Sequence, residues 1–313
     1  MVTAFPQVLL VSNRDDFTTD HIATLCKRRK VNYLRINSED ITEFSFSYEP
    51  HERLFIRDER TCFDLRDVKS VFFRRAPSQF PSLRSEDALF IFRERREFLE
   101  GLLLSTKARW INPMAKTILG ERKTYQLGLA KTIGLRIPRT LITNDAILAK
   151  DFIETLPKSI TKPISHGFLQ SSSGFHSIYT NEIVAAEFDA TSQVMMAPML
   201  LQERVPNKAD IRVTVVGEEV FAVEIVKQDD STVDWRRMDT RKSYKKHVLP
   251  NELSEQLLLL NRTMGLVYSA IDLILSPSDE YFFLEVNPVG EWLWLEMELG
   301  IPISERIMNQ LLL

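Results

Sequence analysis

Cysteine is nearly missing: Cys26 and Cys62 are the only two in 313 residues. That is too few for a disulfide framework or a four-ligand zinc site, and it suits a reducing compartment. Charge of one sign is missing too, with 40 basic residues against 43 acidic ones and a net charge of -3. Such a balance exerts no bulk pull on nucleic acid or on an anionic membrane, so neither is expected as a partner. The longest apolar run, residues 194–201, is interrupted by Pro198. It falls far short of the roughly 20 residues a membrane helix needs. Residues 1–11 lack a basic lead-in and contain Pro6 and Gln7, so they are expected to form a strand rather than a signal peptide. A cytoplasmic protein is expected. Glycine is sparse, and neither a dinucleotide fingerprint nor a Gly-Lys-Ser/Thr loop occurs. No Ser-His-Asp set suggests a covalent nucleophile, and His166, His176 and His247 are expected on surfaces or loops.

What is present is a globular composition, 44% hydrophobic and 27% charged, which excludes wholesale disorder. Residues 8–11 and 31–36 read as strands around a helix capped by Thr19 or Asp20 and running to Lys30, a β-α-β unit. Further strands at 54–56 and 71–73 and a charged helix at 85–104 complete a first unit, residues 1–115. A second unit, 116–198, is expected to hold a helix at 116–133 stopped by Gly134, strands at 139–143, 159–163 and 178–180, a helix at 146–156 and a Gly/Ser loop at 167–174. The third unit, 199–313, is strand-rich. Strands are expected at 199–204, 211–216, 220–226, 269–275 and 281–287, a long loop at 229–247, and helices at 251–264, 291–299 and 304–313. The fold class expected is a mixture of α/β and α+β units.

The most informative segment is Ile271-Asp272-Leu273-Ile274-Leu275 with Phe283-Leu284-Glu285-Val286-Asn287-Pro288. Alternation along a strand points Glu285 and Asn287 the same way. A hairpin turning between Ser278 and Asp279 sets Asp272 opposite Glu285 and Phe283 opposite Ile274. Opposed carboxylates repel unless something positive lies between them. Magnesium suits them, since it takes hard oxygen ligands and binds through one or two carboxylates plus phosphates. Asn287 adds a ligand without charge. The other reading is a surface hairpin with solvated acids, against which the flanking Leu, Ile, Phe and Val weigh.

Phosphate oxygens also need cations and donors. Lys162 sits at a strand end, followed by the loop Gly167 to Gly174, whose glycines and serines suit phosphate approach. Alone, that loop reads better as plain surface, and Lys123 better as an exposed helix lysine. Leu201-Gln202-Glu203-Arg204-Val205 runs into Asp210-Ile211-Arg212-Val213. Its edge offers backbone groups to an adenine, and Glu203 offers acceptors to ribose hydroxyls. Arg212 suits a terminal phosphate or a substrate carboxylate; an ion pair with Asp210 or Glu224 is the alternative. Residues 234–247 hold Arg236, Arg237, Arg241, Lys242, Lys245 and Lys246, either to gather an acidic peptide or as a solvated loop. The stripe Trp292, Leu295 and Leu299 reads as core.

The order of these features (Lys123, Lys162 with its loop, Gln202-Glu203, Asp210-Ile211-Arg212, Asp272, then Glu285-Val286-Asn287-Pro288) resembles the ATP-grasp superfamily across most of the chain. The resemblance implies an ATP-grasp fold behind an N-terminal pre-ATP-grasp β-α-β domain. It implies ATP contacts from Lys123, Lys162, Gln202, Glu203, Val205 and Asp210, magnesium at Asp272, Glu285 and Asn287, and a catalytic Arg212. The ending from Glu285 to Glu296 is similar to that of the microviridin-type maturases, or graspetide synthetases. So are Trp110-Ile111-Asn112-Pro113, Lys123-Thr124-Tyr125-Gln126-Leu127, Pro138-Arg139-Thr140 and Val71-Phe72-Phe73-Arg74-Arg75. This subgroup implies activation of Asp/Glu side chains of a ribosomal precursor peptide as acyl phosphates, then ester or amide cross-links to Thr/Ser or Lys. It also implies a homodimer. One departure is Glu291, where the subgroup often has glutamine: an extra acid beside the cluster, or a helix-start carboxylate. A ligase adding an amino acid to a carboxylate, or a nucleotide-binding protein without turnover, are the alternatives.

Overall fold

The computed structural model describes residues 2–74, 85–165, 167–171, 174–184, 188, 196–227 and 242–313. The first unit comprises β1 (Val2–Ala4), β2 (Val8–Ser12), α1 (Phe17–Arg28), β3 (Tyr33–Asn37), β4 (Ser45–Glu49), β5 (Arg53–Arg57), β6 (Thr61–Asp64), β7 (Ser70–Phe73), α2 (Glu86–Leu104) and β8 (Arg109–Ile111). A parallel sheet of order β3-β2-β7-β8 forms its centre, beside a small sheet of order β1-β6-β5-β4. β2 and β7 are buried at every position, as continuous apolar strands are when both faces of a parallel sheet are covered. Asp16, not Thr19 or Asp20, caps α1: its carboxylate accepts from the Thr19 N–H at 3.1 Å.

α3 (Met114–Gly120) and α4 (Lys123–Ile133) follow where one helix was expected. The break falls where Gly120 passes the hairpin, since a Cβ there would lie 2.7 Å from Pro288 Cγ. Gly134 ends α4 in the left-handed conformation, as its sequence position suggests. Then come β9 (Thr140–Thr143), α5 (Ala146–Glu154), β10 (Ser159–Lys162), β11 (Phe168–Ser171), β12 (Gly174–Ser177), β13 (Asn181–Ile183) and β14 (Met199–Glu203). β11 and β12 pair as a hairpin, so the expected loop is mostly strand; Ser172 and Ser173 lie outside the described residues. The strand expected at 178–180 forms instead at Asn181–Ile183. β14, assigned from sequence to the third unit, pairs with β9 and β10 in a sheet of order β13-β10-β14-β9, so it is an inner strand and not the edge expected to offer backbone groups to an adenine.

The rest is β15 (Ala209–Val216), β16 (Glu219–Lys227), β17 (Lys242–His247), α6 (Asn251–Met264), β18 (Tyr268–Leu275), β19 (Tyr281–Asn287), α7 (Leu293–Leu299) and α8 (Ile303–Leu312). The five strands form an antiparallel sheet of order β17-β16-β15-β18-β19. Residues 242–247 were expected in a loop and are its edge strand; Arg236, Arg237 and Arg241 lie outside the described residues. One face of this sheet buries Ile211, Val213, Ile271, Leu273, Phe283 and Val286 against α4 and α6. A second cluster joins Val8, Leu10, Ile22 and Phe72 of the first unit to Val223, Tyr268, Trp292, Leu295 and Met308 of the third. Trp292 and Leu295 are core, as their spacing suggests. No described helix is long and apolar enough to cross a membrane.

Candidate functional site

Along β15 the odd positions Ile211, Val213 and Val215 enter the helix-covered core, which leaves Asp210, Arg212 and Thr214 on the opposite face. Arg212 lies across from Asp272, and Asp272 lies across from Glu285. Three strands thus bring an arginine and two carboxylates into one row.

The Asp272–Glu285 pairing was expected; the register beyond it was not. Phe283 lies opposite Leu273, and Ile274 opposite Phe282, because the ladder shifts by one residue between Asp272 and Leu273. The turn centres on Ser278, with the N–H of Asp279 donating to Ser276 O at 3.0 Å and Asp279 in a left-handed conformation. The bulge at Leu284 restores the expected pair. It also has a chemical consequence. Phe283 and Val286, three apart, both enter the core, so Glu285 and Asn287 turn to the other face. Without the extra residue, strict alternation from Phe283 would bury Glu285 and Asn287 in a hydrophobic cluster.

Arg212 Nη1 donates to Asp272 Oδ1 at 2.8 Å, and both residues are buried. Burial is the largest influence on Arg212 and disfavours its charge; Asp272, Tyr268 and Glu285 together outweigh it and raise the pKa. The expected alternative partners, Asp210 and Glu224, are both excluded. Glu224 lies on the other face, opposite Ile211, where it meets Lys245 at 2.9 Å and His247 at 3.2 Å. His247 is on a strand, not a loop, and its Nε2 is 2.8 Å from Tyr281 Oη. Arg212 Nε is buried without a partner.

Lys123, the first residue of α4, reaches Glu285 with its ammonium group. Gln126 fixes that helix end: its amide donates to Val286 O at 2.8 Å and to Gly120 O at 2.5 Å, and accepts from the Val286 N–H at 2.9 Å. Beyond β19, Asn287 Oδ1 accepts from the Val289 N–H at 3.0 Å. Asn112 donates to Tyr268 O and Pro288 O and accepts from the Val267 and Tyr268 N–H groups. Gly290 packs so closely that a Cβ would lie 2.5 Å from Ala270 Cβ and 2.7 Å from Arg212 Nη2. Sequence reasoning passed over Gln126, Asn112 and Arg74 as individuals. The available signal was a polar residue inside or ending a buried run, as in Ile111-Asn112-Pro113 and Phe72-Phe73-Arg74.

Asp210 shares the face of Arg212. Burial pushes its carboxyl up to about 6, although Lys227 at 3.3 Å and Asn207 pull it down. The remaining expected residues lie on the second sheet. Lys162 ends β10 opposite Leu200. Gln202 is fully buried between Ile160 and Thr140, its Nε2 donating to Thr140 Oγ1 at 2.8 Å and its Oε1 without a partner. Glu203 accepts from the Arg139 N–H at 3.3 Å, and Val205 is buried just past the strand. The structure therefore brings Lys123, Arg212, Asp272, Glu285 and Asn287 together, with Asp210 nearby on the same face. Lys162, Gln202, Glu203 and Val205 form a separate group.

No group of three His, Cys, Asp or Glu suited to a metal occurs among the described residues. The row offers two carboxylates and an amide oxygen, a hard donor set that fits magnesium when phosphates supply the remaining ligands.

The model of the RimK-like ATP-grasp domain matches residues 121–311, and that of the MvdD pre-ATP-grasp domain matches residues 7–118. Among curated proteins none matches the chain. Among solved structures, macrocyclase MdnC of Microcystis aeruginosa MRC, bound with precursor peptide MdnA, superposes with a TM-score of 0.86 at 28% identity, covering 97% of this chain and 99% of that one. A RiPP-associated ATP-grasp ligase of Chryseobacterium gregarium, in complex with ADP and a leader and core peptide, gives 0.88 at 25% identity over 99% and 96%. The ATP-grasp ligase PsnB, complexed with a minimal-precursor variant, Mg and ADP, gives 0.79 at 20% identity over 98% of each chain.

Proposed function

The chain belongs to the RimK-like ATP-grasp family, and from that premise we propose that it is an ADP-forming ligase that cross-links side chains of a ribosomal precursor peptide. Carboxylates of Asp or Glu in the peptide are activated by ATP as acyl phosphates. Hydroxyls of Thr or Ser, or amines of Lys, then attack. The observation that carries this reading is the convergence of Arg212, Asp272, Glu285 and Lys123 on one sheet face. It is supported by the likeness to ligases bound to precursor peptides at 25–28% identity.

In this reading Asp272, Glu285 and Asn287 hold magnesium, which, when bound, draws charge from the phosphate oxygens. Lys123 moves from Glu285 to a phosphate oxygen. Arg212, whose buried Nε has no partner, holds the carboxylate to be activated and then the acyl phosphate, close to where charge develops. Gln202, through its unpartnered Oε1, and the segment to Val205 take the adenine; Glu203 takes the ribose hydroxyls, and Lys162 a phosphate. Asp210 holds Lys227 on the same sheet. Positioning and electrostatics supply most of the rate.

Mass spectrometry of an acidic, Thr- or Lys-bearing precursor incubated with enzyme and Mg-ATP tests the reading. Loss of one water per cross-link, with matching ADP, is expected. Mass gain on a free amino acid instead would replace it with an amino-acid ligase, and nucleotide binding without ADP would end it.

A further inference from the structure

Arg74 belongs to the first unit, immediately after β7, yet it is buried to 1% exposure against the loop that follows β19. Its Nη1 donates to Gly290 O at 2.9 Å and its Nη2 to Glu291 Oε1 at 2.7 Å, while Nε lies 3.4 Å from Asp16 Oδ2. The other Glu291 oxygen accepts from the Thr18 hydroxyl in the first turn of α1. Tyr268 Oη donates to the same Gly290 carbonyl at 2.7 Å. On the other side of this peptide, Arg212 Nη2 donates to Glu291 O at 3.3 Å. Two buried arginines thus grip consecutive carbonyls of one peptide segment, one from each unit.

We propose that Arg74 and Glu291 form a positioning strut, by which the first unit sets the guanidinium of Arg212 through the Gly290–Glu291 backbone. The inference rests on the ligase reading for its kinetic consequence but not for its geometry. Both Glu291 oxygens are engaged by Arg74 and Thr18, so this acid serves the strut rather than the cation site. A buried arginine holds its place when its donors are met, and the acceptors here come from both sides of the contact, Asp16 in the first unit and the Gly290–Glu291 segment after β19. Because Gly290 leaves no room between Ala270 and Arg212, a shift of this peptide shifts the arginine.

Hydrogen exchange over residues 287–292, with no substrate present, reads the strut directly. Arg74→Ala and Glu291→Ala should each raise exchange there by about tenfold or more. With ATP and peptide, Arg74→Ala should lower kcat about tenfold or more while KM for ATP stays within about threefold. In an Arg212→Lys background the same change should add less than about threefold, since it acts through that side chain. Glu291→Gln keeps an acceptor oxygen for Arg74 and offers its amide N–H to the Thr18 hydroxyl oxygen, so it should lose less than Glu291→Ala; it also carries the test if Arg74→Ala does not fold. Unchanged exchange at 287–292, losses that multiply in the double variant, or equal loss in the two Glu291 variants would overturn the proposal. A wild-type enzyme that acts on no peptide would sink the ligase reading and leave the exchange comparison decisive for the strut.

Discussion

Leu201 in the second sheet and Leu273 in the third are equally buried, but they stand in different surroundings. Among the described residues, Leu201 shares its cluster with two other buried apolar side chains, Ala149 and Ile153, whereas Leu273 is one of twenty. The third sheet is also joined to the first unit by a continuous apolar cluster and by Asn112 and Arg74, whose side chains donate to the backbone carbonyls of Tyr268, Pro288 and Gly290. Local stability follows buried apolar contact, so the second sheet should open well below the free energy of global unfolding and the third sheet near it. The chemistry is thereby set on the stiff partner. In the proposed function, the residues assigned to the adenine and ribose are set on the soft one.

The hardest test of that division compares the two groups of acids. Asp272→Asn or Glu285→Gln should lower turnover by about 10³-fold or more, because each removes an anionic oxygen ligand from the set proposed to hold magnesium against the phosphates. Glu203→Gln should raise KM for ATP about tenfold and leave kcat nearly intact. Steady-state ADP release measures both. If Glu203→Gln proves as damaging to kcat as Asp272→Asn, chemistry is shared between the sheets and the division fails.

Next in size are the two leucines. Leu273→Ala should cost about 4 kcal/mol in urea unfolding, near the top of the range for buried leucine, since surrounding side chains from two helices and three strands restrain collapse. Leu201→Ala should cost about 2 kcal/mol globally and accelerate amide exchange in β9, β10 and β14 while leaving β15 and β18 protected. Equal protection of both sheets in the wild-type protein would break the comparison outright.

Which parts were legible from sequence follows the same division. Strands such as Val8–Ser12 and Ala209–Val216 declare themselves by apolar runs bounded by turn residues, and the Asp272–Glu285 pair by carboxylates among Leu, Ile and Val. The short strands Asn181–Ile183 and Lys242–His247 carry little apolar signal, because they lie at sheet edges and pair on one side only. The β19 bulge was invisible: nothing in Phe283-Leu284-Glu285 says which residue is extra, and only packing of both Phe283 and Val286 into the core decides it. Arg212 was singled out from sequence, but the ion-pair partners weighed for it, Asp210 and Glu224, are not the one it has, since strand order (β18, not β16, supplying its carboxylate) is set by long-range pairing. Arg74, Asn112 and Gln126 escaped as individuals for a related reason. Each satisfies backbone groups more than 150 residues away in the chain.

The smallest effect concerns Asp210, on the stiff face. Burial raises its folded-state pKa to about 6 from an ordinary 3.8, with Lys227 only partly compensating. The folded state therefore binds a proton that the unfolded state has released. Stability from this group is fully present below the unfolded pKa and is lost as pH rises through the folded one. Wild type should consequently lose about 2–3 kcal/mol relative to Asp210→Asn between about pH 4 and pH 7. The asparagine variant carries its own constant cost from leaving Lys227 without its carboxylate, so the slope of the difference, not its absolute value, is the measurement. Urea midpoints of both proteins at half-unit pH steps give that slope. A flat difference would mean that Lys227 compensates Asp210 in full, and that this part of the face is as accommodating to charge as the more open second sheet.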